Sequence, residues 1–517
     1  MMKKIYAVII MFLFIFTFVS CDFLNTIETN LTTTTQNIIS TITSTTTSVT
    51  ETNTMSTTTE TTLTTDLPTT TKTTETTTLP ILTTVNTAEP FYPTGYSLLQ
   101  DELEYVGIPS IGNPNVLVFA VDFSDYPHDS HGISLDDLDI AFNGESTDLN
   151  YESLRSFYQK SSFNKLNLHA DIYGYYTANH PSTYYEDLYD KYWAVDPVTG
   201  EWLYDDTESS LSDSDIIKEV LTYYDEQIDY SQYDLNNDGY IDGIYIIYTH
   251  SVSWTSGSDL WWSYQYYYAY SNDLFDGMSP NYFSWIGSEF FTHTADDVDA
   301  RALIHETGHM MGLEDYYDYD TNDAFNNSGG LGGADMMDSN TGDHGPFSKI
   351  LLGWITPLVI EEPMTVDLLS YEDTGEVLLL TSHWNDTIFD EYLLIMFYTP
   401  TGLYEQDTYN YFSSSGVLIY HVSAAIDNGY DVNSAYYSIF NNNNTDSENK
   451  LIDIIEADMN NYIDLRNQLQ YSDLFLPGYA LGGNVYGNYK WYTGEYLQLI
   501  VNIVSIDDDS VIIDIKK

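Results

Sequence analysis

The chain has 517 residues, room for about three domains of average size, and its 15 Lys and Arg against 78 Asp and Glu give a formal net charge of -63. A charge of this sign and size repels nucleic-acid phosphates and anionic membrane surfaces, which excludes nucleic-acid binding. Because 43% of the residues are hydrophobic and 15% are aromatic, the chain can fill a large core, and wholesale disorder is excluded as well.

The N-terminus has the parts of a secretion signal. Two lysines at positions 3 and 4 precede an apolar run at 5–19, and the small Ser20 stands before Cys21, the one cysteine of the sequence. Residues 18–21 resemble a bacterial lipoprotein signal, which implies cleavage after residue 20 and a lipid on Cys21. An uncleaved anchor helix is the alternative, although the run is shorter than the ~20 residues that a bilayer requires. Both readings place the rest of the chain outside the cell, either on the extracellular face of the membrane, contacted through the lipid alone, or secreted.

Residues 21–92 are dominated by threonine and show no period that would bury one face, so they are predicted to form a disordered tether. After the tether, helical and strand patterns alternate. The domain plan is therefore a signal peptide at 1–20, the tether at 21–92, a catalytic domain at 93–357 and a β-rich C-terminal domain at 358–517. The fold class that this plan predicts is α+β.

The predicted elements follow from hydrophobic period and segment length. Strands are predicted at 115–123, 165–176 and 244–248, and helices at 151–160, 213–227 and 296–311, the last with Thr294 as its N-cap. Beyond residue 357 the pattern changes to short strands, at 376–380, 392–397, 416–422, 451–455 and 511–515.

The loop at 234–242 has the spacing of a calcium site. Oxygen-bearing side chains stand at its first, third, fifth and ninth positions, with glycine at the sixth, and the predicted ligands are Asp234, Asn236, Asp238, Asp242 and the carbonyl of Tyr240. Its twelfth position is tyrosine instead of glutamate, and the loop leads into a strand. We therefore expect a structural Ca²⁺ site at a strand end, with an unoccupied turn as the alternative.

The segment IHETGHMMGLEDYYDYD, residues 304–320, carries the strongest chemical signal. His305 and His309 are four residues apart, so on a helix both can turn a ring nitrogen toward one Zn²⁺ ion. Glu306, beside the first histidine, can take a proton from a water molecule that attacks a carbonyl and pass it to the leaving amine. The pattern indicates a zinc hydrolase with Glu306 as general base.

Gly312 and Asp315 extend this motif. Glycine lets the chain leave the helix through a left-handed turn that returns the following residues to the metal, and Asp315 is the expected third ligand. Glu314 is the rival, because an error of one residue in the turn would exchange the two. A glutamate from a second helix is not expected, since no Glu occurs between 314 and 361.

A glycine-rich loop, GGLGGADMMDSN at 329–340, closes on two methionines. It resembles the tight turn that places a methionine beneath the three ligands in the metzincin clan of zinc peptidases, and its spacing favours Met337 over Met336. Together with FSKILLGWITP at 347–357, these motifs resemble the immune inhibitor A-like family of secreted bacterial zinc metallopeptidases. Segments 116–127, 153–176, 416–422 and 451–458 are also similar to that family.

The resemblance implies a metzincin-like fold, a twisted sheet with an active-site helix, and endopeptidase activity on protein or peptide substrates. It implies His305, His309 and Asp315 as zinc ligands with Glu306 as the base, and it agrees with a structural calcium ion. The sequence does not identify the group that stabilises the oxyanion, because no tyrosine follows either methionine by two residues. It does not give the oligomeric state.

The alternative function, from a different class of protein, is a calcium-stabilised surface adhesin that keeps a peptidase-like fold without catalytic turnover. The intact Glu306 favours the protease, since a silent site has no need of the base. A separate hypothesis concerns latency: the segment 101–111 precedes the first strand, and its Asp101, Glu102 and Glu104 could occupy the metal site.

Overall fold

The computed structural model describes most of the chain after residue 95 and one short strand before it. The described residues are 81–82, 96–146, 149, 151–196, 199–203, 209–252, 258–294, 297–318, 330–382, 384–406, 414–430, 438–445, 449–460, 463, 469–482 and 489–517. They belong to one compact unit that contains residues 80–517. The predicted signal peptide, Cys21 and nearly all of the tether lie outside the described residues. Within the described ranges, no helix has the length and apolar character needed to cross a membrane.

In this part of the chain the strands outnumber the helices. The α-helices are α1 (His128–His131), α2 (Leu135–Asn143), α3 (Leu154–Ser161), α4 (Ser182–Tyr192), α5 (Ser212–Tyr224), α6 (Arg301–Met310), α7 (Met336–Ser339), α8 (Pro346–Leu351), α9 (Tyr371–Thr374) and α10 (Gly402–Gln406). The strands are β1 (Ile81–Leu82), β2 (Asn115–Asp122), β3 (His169–Thr177), β4 (Ile244–Tyr248), β5 (Tyr264–Tyr267), β6 (Tyr282–Gly287), β7 (Thr292–Thr294), β8 (Asp297–Val298), β9 (Leu358–Ile360), β10 (Met364–Leu369), β11 (Val377–Leu380), β12 (Glu391–Tyr398), β13 (Gly416–Ser423), β14 (Ile452–Ile454), β15 (Ala480–Leu481), β16 (Ile500–Ile506) and β17 (Ser510–Lys516).

The first sheet has five strands in the order β3-β2-β4-β6-β5. Its first four strands run parallel, with Leu117 opposite Ile244 and Ile244 opposite Phe283, whereas β5 closes one edge antiparallel to β6. Parallel strands that are buried on both faces have near-continuous apolar sequences, which explains VLVFAV in β2 and IYIIY in β4.

Alternate residues of β2 face two separate cores, because consecutive side chains of a strand point to opposite faces. Leu117 and Phe119 belong to the core that also contains residues of α4 and α5. Val116 and Val118 belong to the core that contains residues of α2, α3 and α6. The sheet is thus covered on both sides, and α6, which carries the predicted zinc motif, packs on one of them.

The C-terminal portion forms two further five-stranded sheets, β14-β13-β12-β11-β9 and β1-β10-β17-β16-β15. Leu393 and Ile395 of β12 share a core with β10, β16 and β17. Leu394 and Met396 of the same strand belong to the core that contains α6. The hydrophobic core therefore runs across residue 357, and the predicted domain boundary there stays a prediction.

The structure is mixed α and β, and every strand and helix predicted above has a counterpart in it. The helix that carries the zinc motif differs most from its predicted bounds. It begins at Arg301 with Ala300 as N-cap, because the preceding residues form the short β7–β8 hairpin in which Thr294 pairs with Asp297. The predicted N-cap at Thr294 was wrong, since strand pairing takes up the backbone groups that a cap would have satisfied.

Asp213, near the start of α5, is a carboxyl group that is 1% exposed. Burial raises its pKa to about 6, although hydrogen bonds from Ser214 and from the Tyr264 hydroxyl oppose the shift. The folded protein keeps this proton over a pH range in which the unfolded chain, with a pKa near 3.8, has lost it. Stability contributed by the neutral group therefore falls as the pH rises from about 4 to about 6 and is constant above that.

Asparagine does not titrate, so we expect Asp213→Asn to abolish this pH-dependent part of the free energy of unfolding, which amounts to about 3 kcal/mol. The measurement is the free energy of unfolding of wild type and variant at pH 4 and pH 7, from denaturant titrations. A pH dependence that is the same in both proteins would show that Asp213 ionises normally in the fold.

Candidate metal centre

Two tyrosine hydroxyl groups hold helix α6 in place, one from α3 and one from β4 of the first sheet. The Tyr158 hydroxyl donates to the Ile304 carbonyl at 2.7 Å, and the Tyr245 hydroxyl lies 2.9 Å from the Thr307 hydroxyl. Both tyrosines are fully buried. These bonds fix which face of α6 meets the sheet and therefore where the side chains of the zinc motif lie.

The chain leaves α6 through a turn that only glycine adopts without strain. Gly312 has φ +98°, in the region that other residues rarely adopt. The N–H of Leu313 then donates to the Gly308 carbonyl at 3.0 Å, which closes the turn. The turn carries Asp315 back beside the histidines of α6, as the sequence predicted from Gly312.

Three potential ligand atoms converge at this place. Asp315 Oδ1 lies 2.9 Å from His305 Nε2 and 3.2 Å from His309 Nε2, and the two Nε2 atoms are 3.2 Å apart. A tetrahedral zinc site with bonds of about 2.0–2.1 Å spaces its ligand atoms about 3.3 Å apart, so the triangle has nearly the size that zinc requires. In the described part of the chain, two groups have metal-ligand spacing, and this is the one with histidines.

A backbone carbonyl holds each imidazole from behind. His305 Nδ1 lies 3.0 Å from the Met336 carbonyl oxygen, and His309 Nδ1 lies 2.8 Å from that of Leu313. These bonds favour the tautomer with the proton on Nδ1, which leaves the Nε2 lone pairs for a metal ion. Two imidazole nitrogens and one carboxylate oxygen are a donor set that zinc accepts, so the residues present fit a zinc ion.

The charges in the triangle shift each other's pKa. Burial opposes ionisation of Asp315, but His309 and the hydrogen bonds of both imidazoles hold the pKa of its carboxyl well below the usual range. Burial alone would lower the pKa of His309, but the Asp315 carboxylate raises it to about 9. These shifts favour a protonated His309 beside an ionised Asp315 when no metal ion is bound, and a divalent cation would displace that proton.

Glu306 lies beside the triangle and is 9% exposed. Burial raises its pKa, although His309 and His305 oppose the shift and the backbone of Gln265 in β5 hydrogen-bonds to it. A carboxyl group that works as a general base near neutral pH needs a raised pKa. Glu306 is thus a buried carboxyl group with a raised pKa, close enough to both histidines for their charges to act on it.

Glu314, the rival third ligand, is engaged elsewhere. Its Oε1 atom accepts hydrogen bonds from the Ser438 hydroxyl and the Ile439 N–H, both at 2.8 Å. Glu314 thus ties the turn to the C-terminal portion, and Asp315 is the carboxylate that the turn presents to the histidines. The sequence left the choice open because the directions of neighbouring side chains in an irregular turn depend on such distant contacts.

Met337 lies under α6. A Cβ atom on Gly308, which stands between the two histidine positions, would lie 2.3 Å from Met337 Sδ, so the thioether contacts the helix backbone directly. Met336 acts through its carbonyl, which binds His305. The side chain of Asp335 caps α7 by accepting the Met337 N–H at 2.8 Å.

Tyr317 is a site residue that the sequence reasoning missed. Its ring centroid lies 6.3 Å from that of His305. Burial, followed by the charges of Asp315 and Glu306, raises its pKa well above the usual range, and its hydroxyl hydrogen-bonds to Asp315. The signal in the sequence is an aromatic residue two positions after the expected ligand Asp315, whereas the expected position for a tyrosine near the metal was two residues after a methionine.

The segment 96–112, here called the N-terminal clasp, does not play the role suggested by the latency hypothesis. Asp101, Glu102 and Glu104 are exposed, and Asp101 Oδ2 accepts the Ser97 N–H at 2.7 Å. In this structure the clasp covers the end of α6 and supplies no carboxylate to the three-atom group at the metal centre. The acidic residues of the clasp are solvated, because its apolar side chains Leu98 and Leu99 are the ones buried.

The predicted calcium loop forms a tight turn before β4. Asp234 accepts the backbone N–H groups of Asp238 and Gly239 at 3.0 Å each, and Asp242 accepts that of Leu235 at 2.9 Å. Burial, followed by the charges of Asp238 and Asp234, raises the pKa of Asp242 to about 8. The loop is not one of the groups with metal-ligand spacing in the described residues, so the calcium ion stays a prediction.

A second acidic group was not found from the sequence. Glu456, Asp458 and Asp473 bring carboxylate oxygens within 4.8 Å of one another in the C-terminal portion. Glu456 and Asp473 are buried. No spacing rule could have joined them, because Asp473 comes from a separate segment that meets Glu456 and Asp458 only in the folded chain.

Comparison with protein-family models found no match to this chain, and comparison with curated proteins found none either. The fold and the site therefore define a mixed α and β protein with a candidate metal centre of two histidines and one aspartate. Its function has to be argued from the chemistry of that centre.

Proposed function

We propose that this protein is a zinc metalloendopeptidase with a metzincin-like catalytic portion, of the immune inhibitor A-like type that its motifs resemble. The observation that carries the proposal is the triangle of His305 Nε2, His309 Nε2 and Asp315 Oδ1, whose sides are 2.9, 3.2 and 3.2 Å. Glu306, the expected base, is buried beside it. This combination of ligand geometry and an adjacent carboxyl group is what metal-assisted hydrolysis of a peptide bond requires.

The roles of the residues follow from their positions. His305, His309 and Asp315 would hold the ion, and the carbonyls behind the imidazoles would keep the rings oriented. Zinc bound there would act as a Lewis acid toward a water molecule and the scissile carbonyl. Glu306 would take a proton from the water as its oxygen attacks the carbonyl carbon, and would return that proton to the leaving nitrogen. A pKa raised by burial suits both transfers, because the group has to hold the proton between them.

An extended protein segment is the substrate form that the site favours. Strand β5 is the last strand of the first sheet, and its Gln265 lies next to Glu306. A peptide can add to such an edge as a further strand, with backbone hydrogen bonds that do not depend on sequence. The net charge of -63 would raise the local concentration of cationic substrates.

The proposed location is the extracellular face of a bacterial membrane, with a lipid on Cys21, or the medium after release. A flexible tether of the predicted length would hold the catalytic portion roughly 45 Å from the lipid. A calcium ion in the loop that ends with Asp242 would neutralise the acidic group there, whose pKa of about 8 reflects burial among like charges.

The proposal is tested by measuring the metal content of the purified full-length protein together with hydrolysis of casein. We expect one zinc ion per chain, hydrolysis, loss of hydrolysis with a chelator that removes zinc and leaves calcium, and recovery on adding zinc back. Absence of zinc would overturn the ligand assignment and favour the adhesin. Zinc without hydrolysis of casein or of a mixed protein digest would overturn the general endopeptidase.

A further inference from the structure

The N-terminal clasp (residues 96–112) closes the C-terminal end of α6. The last carbonyls of an α-helix have no partners within the helix and need them from outside. The Tyr105 hydroxyl donates to the carbonyl of His309 at 2.8 Å, and the N–H of Ile108 donates to the carbonyl of Met310 at 3.0 Å. The clasp therefore donates to two consecutive carbonyls, one of which belongs to a proposed metal ligand and also accepts the Gly312 N–H at 2.9 Å.

The ring of Tyr105 also packs on the turn that leads to Asp315. A Cβ atom on Gly312 would lie 3.1 Å from two carbon atoms of this ring, so the ring contacts the turn backbone. The ring stacks on Tyr282 of β6, with centroids 5.0 Å apart and planes 9° apart. Tyr105 is thus fixed between the sheet and the turn, and it contacts the chain at His309 and at Gly312, within the segment that leads to Asp315.

The clasp is itself firmly anchored, so it can hold α6 in place. The Gln100 side chain binds the Ile108 carbonyl at 2.8 Å and the Ser110 N–H at 3.1 Å. The Trp354 indole N–H donates to the Ser110 carbonyl at 2.7 Å. Gly107 fits against α6 because a Cβ atom there would lie 2.3 Å from the Met310 carbonyl oxygen. These contacts hold the clasp against residues that lie more than 200 positions further along the chain.

We infer that Tyr105 is a positioning residue of the metal centre, and that the N-terminal clasp sets its affinity for zinc. The inference rests on the proposed zinc ligands. Tyr105 does not touch the ion or a substrate. Its hydroxyl holds the backbone of His309, and its ring holds the turn that presents Asp315, so two of the three ligands depend on one side chain. Ligands held in place before the ion arrives bind it more tightly than ligands that have to be ordered.

The test compares zinc dissociation constants of the full-length apoprotein, measured by competition with a chromophoric chelator. Tyr105→Phe keeps the ring and removes one hydrogen bond, and we expect it to weaken zinc binding about fivefold. Tyr105→Leu removes both contacts, and we expect a loss of about 10- to 100-fold, the range found when partners of metal ligands are removed. Tyr96→Phe is the matched control, because the Tyr96 hydroxyl donates to the carbonyl oxygen of Asp101 at 3.4 Å, within the clasp.

A second readout separates positioning from loss of stability. The absorption spectrum of the Co²⁺-substituted protein reports the geometry of the ligands, and we expect it to change in Tyr105→Leu and to stay unchanged in Tyr96→Phe. Wild-type affinity and an unchanged spectrum in both Tyr105 variants would overturn the inference while leaving the zinc site standing. If Tyr105→Leu does not fold, the zinc dissociation constant of Tyr105→Phe decides whether the inference holds. Failure of the wild-type protein to bind zinc would overturn the proposed function itself, and this inference with it.

Discussion

Glu306→Gln is expected to lower kcat for protein hydrolysis about 10²- to 10⁴-fold, the usual contribution of a general acid or base. Glutamine has the shape of glutamate but cannot take up a proton, so water would have to lose its proton to solvent. Glu306 has a pKa raised by burial, and it lies beside the two histidines and the edge strand, where a reacting water would stand. The measurement is steady-state hydrolysis of a fluorogenic peptide by zinc-loaded protein.

The control for this variant is its metal content, which we expect to equal that of wild type because Glu306 is not one of the three convergent ligands. Glu226→Gln, at an exposed position after α5, is the matched exchange and should leave kcat unchanged. Activity of Glu306→Gln within a few-fold of wild type, at full zinc occupancy, would show that another group moves the proton.

Asp315→Ala is expected to weaken zinc binding by more than about 100-fold, beyond the range seen when only a partner of a ligand is removed. The variant would leave two imidazoles, whose Nε2 atoms are 3.2 Å apart, without the charge that pairs with them. The loss of this charge also matters because a carboxylate compensates a divalent cation in a buried site. The measurement is the zinc dissociation constant by chelator competition, with zinc content after gel filtration as a second readout.

Glu314→Ala is the matched control for Asp315→Ala. Glu314 is the adjacent carboxylate, and its hydrogen bonds go to Ser438 and Ile439. We expect this variant to keep its zinc and to lose some stability, since two donors of the C-terminal portion would lose their acceptor. Zinc loss in Glu314→Ala together with zinc retention in Asp315→Ala would show that Glu314, and not Asp315, is the third ligand.

The part of the site that could be predicted from the sequence is the part set within one helix. A spacing of four residues puts His305 and His309 on one face of α6, and Glu306 necessarily stands next to the first histidine. The glycine at position 312 predicted the turn, because glycine readily adopts a positive φ, and the observed φ is +98°. These features depend on local backbone geometry, which is why the sequence was enough to place them.

Other parts of the site depend on contacts between distant segments. The choice between Glu314 and Asp315 is made by Ser438, which lies 124 positions away. The contribution of the clasp is made by Tyr105, which reaches His309 across 204 positions. Neither contact follows a fixed spacing in the sequence, so the sequence suggested a latency segment where the structure has a segment that contacts the end of α6.

The sequence by itself determined the mixed α and β class, three of the five strands of the first sheet (β2, β3 and β4), and the placement of His305, Glu306 and His309 on α6, because period, length and helical spacing act over a few residues. Tertiary structure alone decided which carboxylate faces the histidines, which carbonyls orient their rings, and that a hairpin instead of a cap precedes α6. Those outcomes depend on which backbone and side-chain groups meet after the sheets have packed. Burial and hydrogen bonding then give each group the partner that its position in the chain does not reveal.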